Sequence, residues 1–125
     1  MALKLEGRVV NLRGLAPGWE QDARYQYIGR RGHGFDGLFG NPVIIGRRCP
    51  FCGEVHVDGG STLRCYRVYL ERRIADEREF RAAVKALDRK ILVCFCAGRQ
   101  GLTTAPPHIC HGQILLTMVE RLNAR

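Results

Sequence analysis

The chain is 125 residues long, 46% hydrophobic and 26% charged, which fits one folded domain and argues against a disordered or fibrous protein. No apolar run approaches the roughly 18 residues of a membrane helix, and the first residues lack the apolar stretch of a secretion signal, so we expect a cytoplasmic protein with no membrane partner. Twenty basic and twelve acidic side chains leave a net charge of +8, mostly from arginine, which binds phosphate through two parallel hydrogen bonds. The charge favours a nucleotide or a nucleic acid as the partner, and a merely solubilising surface is the alternative.

Short β-prone segments mark the first half of the chain. Residues 8–13 and 25–28 predict two strands, and residues 43–45 predict a third. The third lies inside a segment rich in glycine and arginine, residues 29–60, which we interpret as functional loop more than scaffold.

Helical periodicity first appears after the glycine pair that precedes Ser61. Apolar residues recur at helical spacing from Leu63 and predict a helix to about residue 75, with Ser61 as its N-cap. Asp76 and Glu79 stand three residues apart and resemble a capping box, so we expect a second helix to begin there.

The last third of the chain supplies one more strand and one more helix. Residues 91–96 form a continuous apolar run that is typical of a buried central strand. Residues 111–123 carry a broad apolar face that is typical of a closing helix. The order of elements predicts a single α/β domain over residues 1–125, with a small mixed sheet and flanking helices.

Three cysteines and one histidine have the spacing of a zinc knuckle. The pattern Cys-x2-Cys-x3-His-x8-Cys runs through Cys49, Cys52, His56 and Cys65, and it supplies four nitrogen and sulfur ligands to one tetrahedral ion. A bound zinc would order a stretch that has little apolar material of its own. The sequence therefore predicts zinc as cofactor in a knuckle insert at about residues 47–65.

Two other interpretations of these cysteines stay open at the level of sequence. In one, Cys49 and Cys52 are reduced loop thiols. In the other, they share a metal with Cys94 and Cys96, or with the later pair Cys110 and His111. Side chains two residues apart on a strand point to the same face, which makes the Cys-x-Cys pair neighbours by geometry.

The tripeptide Cys110-His111-Gly112 stands where the closing helix is predicted to begin. A thiol at a helix N-terminus beside an imidazole has its thiolate favoured, so Cys110 is a candidate nucleophile with His111 as acid or base, and Cys96 is the alternative nucleophile. The same helix end could receive a phosphate, with Gly112 allowing its close approach. An N-cap with a packed cysteine is the plainer explanation.

Short motifs in order along the chain carry a resemblance to a known family. They are Val10-Asn11 with Arg13, Tyr27-Ile28-Gly29-Arg30, Gly40-Asn41-Pro42, the helix bearing Tyr66 and Tyr69, Leu92-Val93-Cys94-Phe95-Cys96 and Cys110-His111-Gly112. With these motifs the chain resembles the phage and actinobacterial family called domain of unknown function 4326. The resemblance carries no activity. It implies a compact α/β domain with one site formed by Arg30, Asn41, Cys96, Cys110 and His111, and it makes the knuckle an insert that stabilises the fold.

The leading hypothesis is a zinc-binding α/β protein of phage or actinobacterial type that binds a nucleotide or nucleic acid. Arg30 would clamp phosphate, and Asn41 would orient the base or sugar. Processing of that substrate is left open, as is the oligomeric state. The alternative is a non-catalytic nucleic-acid-binding accessory protein, which predicts steep salt dependence. A redox or metal-sensing switch is a third possibility.

Overall fold

A three-stranded parallel sheet organises the fold. The computed structural model describes residues 6–32, 34–95 and 101–124. Strands β1 (Val9–Asn11) and β2 (Tyr25–Tyr27) pair in parallel with opposite edges of β3 (Ile91–Cys94), so the order is β1-β3-β2. All four residues of β3 are buried, as the continuous apolar run predicts for a central strand.

Three helices cover one face of this sheet. They are α1 (Leu63–Asp76), α2 (Arg78–Lys85) and α3 (His111–Asn123), and each contacts the other two. The main core lies between these helices and the sheet, and its fully buried side chains include Val9, Ile28, Tyr66, Leu70, Val84, Leu92 and Leu115.

The segment between β1 and β2 covers the opposite face. Because side chains alternate along a strand, Val10, Ile91 and Val93 point away from the helices. They pack against partly buried apolar residues of that segment and of β2, namely Leu12, Leu15, Trp19 and Tyr25. Two short 3-10 helices, Leu12–Gly14 and Trp19–Gln21, fold the segment back over the sheet.

The prediction of a strand at residues 43–45 is wrong. Val43 is fully buried, but its backbone takes side-chain partners in place of a neighbouring strand. Its N–H donates to Asn41 Oδ1 at 3.0 Å, and its carbonyl accepts from Arg30 Nη2 at 2.6 Å. A buried backbone must be hydrogen-bonded, and here side chains satisfy it without a sheet.

The predicted helix starts also need correction. A 3-10 helix, Gly60–Thr62, precedes α1, so Thr62 and not Ser61 occupies the N-cap position. Asp76 is the last residue of α1 and caps nothing in α2, whose N-cap Glu77 makes no side-chain capping bond. The Glu77 carboxylate instead receives two hydrogen bonds from the guanidinium of Arg73, at 2.8 and 2.9 Å.

The predicted fold class is confirmed: a small α/β fold with a three-stranded sheet and three helices. The sheet was predicted to be mixed, but its three strands all pair in parallel. The closing helix begins and ends where its apolar face predicted. Within the described parts of the chain, no helix has the length and apolar character needed to cross a membrane.

Candidate functional site

The cysteine-rich insert folds as a tight hairpin in front of α1. Arg48 and Val55 form an isolated antiparallel bridge, and the N–H of Cys49 donates to the carbonyl of Glu54 at 2.8 Å. Gly53 closes the turn with a φ of +78°, a conformation that residues with a Cβ rarely adopt. The hairpin thereby brings the two sulfurs of the Cys-x2-Cys pair to the same side.

The four ligands predicted from spacing lie together. One ligand atom from each of Cys49, Cys52, His56 and Cys65 falls within 4.8 Å of all the others. His56 Nε2 is 3.4 Å from Cys52 Sγ and 3.5 Å from Cys65 Sγ. All but Cys52 are buried. The group could therefore bind a metal ion.

The ring of His56 is oriented by a second contact. Its Nδ1 lies 2.9 Å from Ser61 Oγ, whose own hydroxyl donates to the carbonyl of Asp58 at 3.0 Å. The hydroxyl proton of Ser61 is thus already in a hydrogen bond, so Nδ1 carries the imidazole proton and donates a hydrogen bond to Ser61 Oγ. The lone pair of the imidazole is then on Nε2, which faces the sulfurs. Metal-bound histidines in proteins are commonly held by a partner of this kind.

The sulfurs of this group do not ionise alike. Burial raises the pKa of the Cys49 thiol, but bonds from the backbone N–H groups of Phe51 and Cys52, and then from the side chains of His56 and Cys65, lower it to about 6. Burial raises the pKa of Cys65, and contact with the other two cysteines brings it to about 12. Without a bound cation, a negative charge on one sulfur disfavours ionisation of the neighbouring thiol. A metal ion removes this conflict because its ligands bind as thiolates.

A separate cavity of about 370 Å³ opens at the carboxyl ends of β2 and β3. Its lining residues come from the ends of these strands, from the loops after β2, from the stretch before α1 and from the start of α3. They are Tyr27, Gly29, Arg30, Arg31, Gly32, Asn41, Ile45, Gly59, Thr62, Leu63, Cys94, Phe95, Ile109 and His111. Ligands of open parallel sheets commonly bind at this edge.

Two arginines and three apolar side chains give the cavity its character. Arg30 and Arg31 line it, and neither forms a salt bridge with another of the described residues. Ile45, Phe95 and Ile109 also line it and are 42 to 53% exposed. An exposed apolar surface beside two arginine side chains suits a negatively charged ligand that also has a flat or apolar part.

Asn41 is one of the predicted substrate-binding residues, and it lies in the wall of the cavity. It is buried, with Nδ2 donating to Thr62 Oγ1 at 2.9 Å and Oδ1 accepting from the N–H of Val43. The preceding Gly40 has no room for a side chain, since a Cβ there would lie 2.8 Å from the carbonyl oxygen of Gly29. The Gly-Asn-Pro motif therefore joins the arginine-bearing loop to the segment before α1.

Cys110 is the N-cap of α3, which agrees with its interpretation as a packed N-cap cysteine. Its Sγ accepts from the N–H of Gly112 at 3.4 Å, and it is buried. Cys110 is disulfide-bonded, and its Sγ lies 3.1 Å from the sulfur of Cys94, which has no disulfide. Cys96, the alternative nucleophile, lies outside the described residues.

His111, the first residue of α3, faces the cavity from the helix start. Its Nε2 donates to the carbonyl of Ile28 at 2.7 Å, which leaves the lone pair on Nδ1. Burial lowers the pKa of His111, and the charge of Arg30 lowers it further against the opposing effect of the Ile28 carbonyl. The imidazole is therefore neutral near pH 7.

Gly112, the third member of the motif, is placed beneath the cavity wall. A Cβ at this position would lie 2.7 Å from Ile28 Cδ1 and 2.8 Å from Val9 Cγ1. The missing side chain lets α3 begin against the sheet, and this packing accounts for the glycine without any ligand.

Sequence reasoning missed Gln113, which is 1% exposed and organises the loop before α3. Its Oε1 accepts from the N–H groups of Ile109 and Cys110 at 2.7 and 3.1 Å, and its Nε2 donates to the Thr103 carbonyl at 3.0 Å. The signal was present, because a glutamine three residues after an N-cap is the second half of a capping box.

Comparison with known proteins identifies the family alone. The family model described as Domain of unknown function (DUF4326) matches residues 10–121. No significant match is found among curated proteins or among solved structures. Since the match spans most of the chain, the protein belongs to the DUF4326 family.

Proposed function

We propose that the protein is a zinc-stabilised nucleotide-binding α/β protein, which takes a nucleotide, free or within a nucleic acid, into the cavity at the carboxyl edge of the sheet. One observation carries the proposal. The cavity combines two arginines without salt bridges among the described residues and an exposed apolar rim at the edge where parallel sheets commonly bind ligands.

The chemistry of a nucleotide matches the two halves of the cavity. Arg30 and Arg31 supply guanidinium groups, which pair with phosphate oxygens in a fork geometry. Phe95, which is 42% exposed, supplies aromatic surface for a base, and its ring centroid lies 6.4 Å from that of the buried Tyr27. Aromatic faces bind any nucleobase by stacking, so we expect little preference among bases.

Zinc is the metal that best fits the cysteine and histidine group. Three thiolates and one imidazole are a ligand set typical of structural zinc, which leaves no open position for a substrate. In a tetrahedral zinc site, bonds of about 2.3 Å to sulfur and about 2.0 Å to nitrogen separate the two ligand atoms by about 3.5 Å. The separations of His56 Nε2 from the sulfurs of Cys52 and Cys65, 3.4 and 3.5 Å, agree with this value. Zinc here would stabilise the hairpin, and the ligand chemistry would occur elsewhere.

The remaining predicted site residues have supporting roles in this proposal. Asn41 positions the loops around the ligand, and Gly112 lets the start of α3 approach the same cavity.

Catalysis would depend on His111 and a cysteine. His111 Nδ1 is the nitrogen with the lone pair, so it is the atom that would accept a proton. Cys110 would need to be reduced before its sulfur could act as a nucleophile, since it is disulfide-bonded here. Cys96 stays a candidate from the sequence alone.

A non-catalytic nucleic-acid-binding accessory role is the second candidate. Arg47 and Arg48 immediately precede Cys49 and are exposed, and the chain carries a net charge of +8. Such a protein would bind single strands through phosphates, and the logarithm of its affinity would fall steeply with the logarithm of salt concentration.

The test is calorimetric titration of the zinc-loaded chain with each of the four ribonucleoside monophosphates, with inorganic phosphate and with a single-stranded 12-mer. We expect a monophosphate to bind, and Arg31→Ala to weaken it by about tenfold or more, because a hydrogen bond to a charged group contributes about 1.5–3 kcal/mol. Arg81→Ala, on the exposed face of α2, is the matched control and should bind as the wild type does.

Two results would count against the proposal. Equal losses in the two arginine variants would mean that general charge and not the cavity attracts the ligand. Binding of the 12-mer without any monophosphate would favour the accessory role.

A further inference from the structure

Val43 connects the metal group to the cavity, because it contacts residues of both. Its side chain is fully buried in a small cluster with two of the ligands, Cys49 and Cys65. Its carbonyl accepts the 2.6 Å hydrogen bond from Arg30 Nη2. A single peptide segment therefore touches the metal ligands with its side chain and the phosphate-binding arginine with its backbone.

A second connection runs through Asn41. Its Oδ1 fixes the N–H of Val43, and its Nδ2 donates to Thr62 Oγ1. That hydroxyl in turn donates to the carbonyl of Gly59 at 2.7 Å. Gly59 and Thr62 lie between the ligands His56 and Cys65, and both line the cavity. Ordering the hairpin therefore also orders one wall of the cavity.

Apart from its backbone hydrogen bonds and the contacts of Phe51 with Tyr69 and Arg72, only a small apolar cluster among the described residues holds the hairpin in place. Its apolar cluster contains Val43, Cys49 and Cys65, with Phe51 partly buried against it. Val55 and Val57 of the same hairpin are 53 and 82% exposed and add nothing to this cluster. Because this cluster is small, a metal ion that draws four ligand atoms to one centre would add strongly to the order of this segment.

We propose that the metal centre positions Arg30 for the anionic ligand, through the main chain of Val43. The proposal rests on the proposed function and deepens it, because it makes metal loading a determinant of affinity in the cavity. Arg31 lines the same cavity without a hydrogen bond to Val43 among the described contacts, so it provides an internal comparison.

The experiment is a cycle of two metal states and three proteins. The dissociation constants of inorganic phosphate and of AMP are measured for the wild type, Arg30→Ala and Arg31→Ala. Each protein is measured in its zinc-loaded form and after chelation. Cys52→Ser gives a metal-deficient form by mutation, at the one exposed ligand, where packing is disturbed least. We expect chelation to weaken ligand binding in the wild type and in Arg31→Ala by a factor within about 5 to 150, the usual range of coupling between sites.

Arg30→Ala should bind weakly and equally with and without zinc. Equal affinity of the wild type in both metal states would overturn the proposal. So would an undiminished effect of zinc in Arg30→Ala, since the metal would then act by another route.

A second measurement needs no ligand. Nuclear magnetic resonance of the arginine side chains, with the Arg30 signal assigned from its loss in Arg30→Ala, follows the chain during zinc titration. We expect the Arg30 guanidinium signal to shift and sharpen as zinc binds, while the Arg31 signal stays in place. Equal changes at both arginines would mean general folding and would overturn the proposal. If no ligand binds the loaded protein, the proposed function fails, and this measurement still decides whether metal positions Arg30.

Discussion

The two nitrogens of His56 face two different partners: Nδ1 lies 2.9 Å from Ser61 Oγ, and Nε2 lies 3.4 Å from Cys52 Sγ. Because the Ser61 hydroxyl donates to a backbone carbonyl, it accepts from Nδ1. The tautomer with its lone pair on Nε2, which is the one that could bind a metal through that nitrogen, is thereby selected. The hydroxyl thus orients a candidate ligand without being one itself.

Ser61→Ala should weaken zinc binding by about 10- to 100-fold, the usual effect of removing the partner that orients a ligand. The substitution removes the acceptor for Nδ1, so the ring loses its fixed orientation. Competition with a chromophoric zinc chelator gives the two affinities. Val57→Ala changes an exposed side chain of the same hairpin and should leave the affinity unchanged. An unchanged affinity in Ser61→Ala would mean that Ser61 only shapes the loop.

Removal of the metal should destabilise the chain and expose three thiols. At a free zinc concentration 100 times its dissociation constant, binding raises the free energy of unfolding by about 2.7 kcal/mol. For a chain of this size, that corresponds to roughly 10 °C in melting temperature. Thermal unfolding with and without chelator measures the shift in melting temperature, and thiol titration with metal analysis counts the exposed thiols and the bound metal.

Cys49→Ser should melt at the temperature of the chelated wild type, and chelation should not lower it further. Glu54→Gln, at the turn of the hairpin, should keep its metal and serves as the control. Thiols that react equally with and without chelator would show that the group holds no metal.

The clustering of the four candidate metal ligands could be predicted from the sequence because it depends on spacing within one short hairpin and the helix that follows it. Cys49, Cys52 and His56 are near neighbours along the chain, and Cys65 follows in the first turn of α1. The limits of α3 could be predicted for a related reason, since its apolar face and its N-cap are local signals.

The cavity could not be predicted in the same way. The sequence placed Arg30 and His111 at one site only through a family resemblance, and the structure brings them together across more than 80 residues. Residues 43–45 were predicted as a strand from their β-branched side chains, but Asn41 and Arg30 satisfy the backbone of Val43 instead. Hydrogen bonds between side chains and a distant backbone leave no periodic pattern in the sequence.

Gly112→Ala should destabilise the fold although alanine favours helices. A Cβ at residue 112 would lie within 3 Å of side-chain atoms of Ile28 and Val9, where the core has no room to give. We expect the free energy of unfolding to fall by about 1–3 kcal/mol, the usual cost of overpacking. Urea unfolding measures the change. Gly14→Ala meets nothing within 4 Å and should change stability by no more than about 0.5 kcal/mol, as surface substitutions usually do.

His111 should give the folded state a pH dependence of known sign. Burial, and then the charge of Arg30, lower its pKa below the ordinary value of 6.5, while the carbonyl of Ile28 acts in the other direction. Above the unfolded pKa the imidazole is neutral in both states, and its contribution to stability is fully present. As pH falls below 6.5, the unfolded chain binds a proton first, so stability decreases until the folded-state pKa is passed.

The measurement is urea unfolding of the wild type and of His111→Gln between pH 8 and pH 5, at matched zinc content. The wild type should be the more stable protein at pH 8, and its advantage should shrink as the pH falls through the low sixes. Both proteins keep the other histidines, including the candidate metal ligand His56, so those contributions cancel in the difference. A difference that stays constant with pH would show that His111 titrates alike in both states, and the neutral imidazole inferred at the cavity would be wrong.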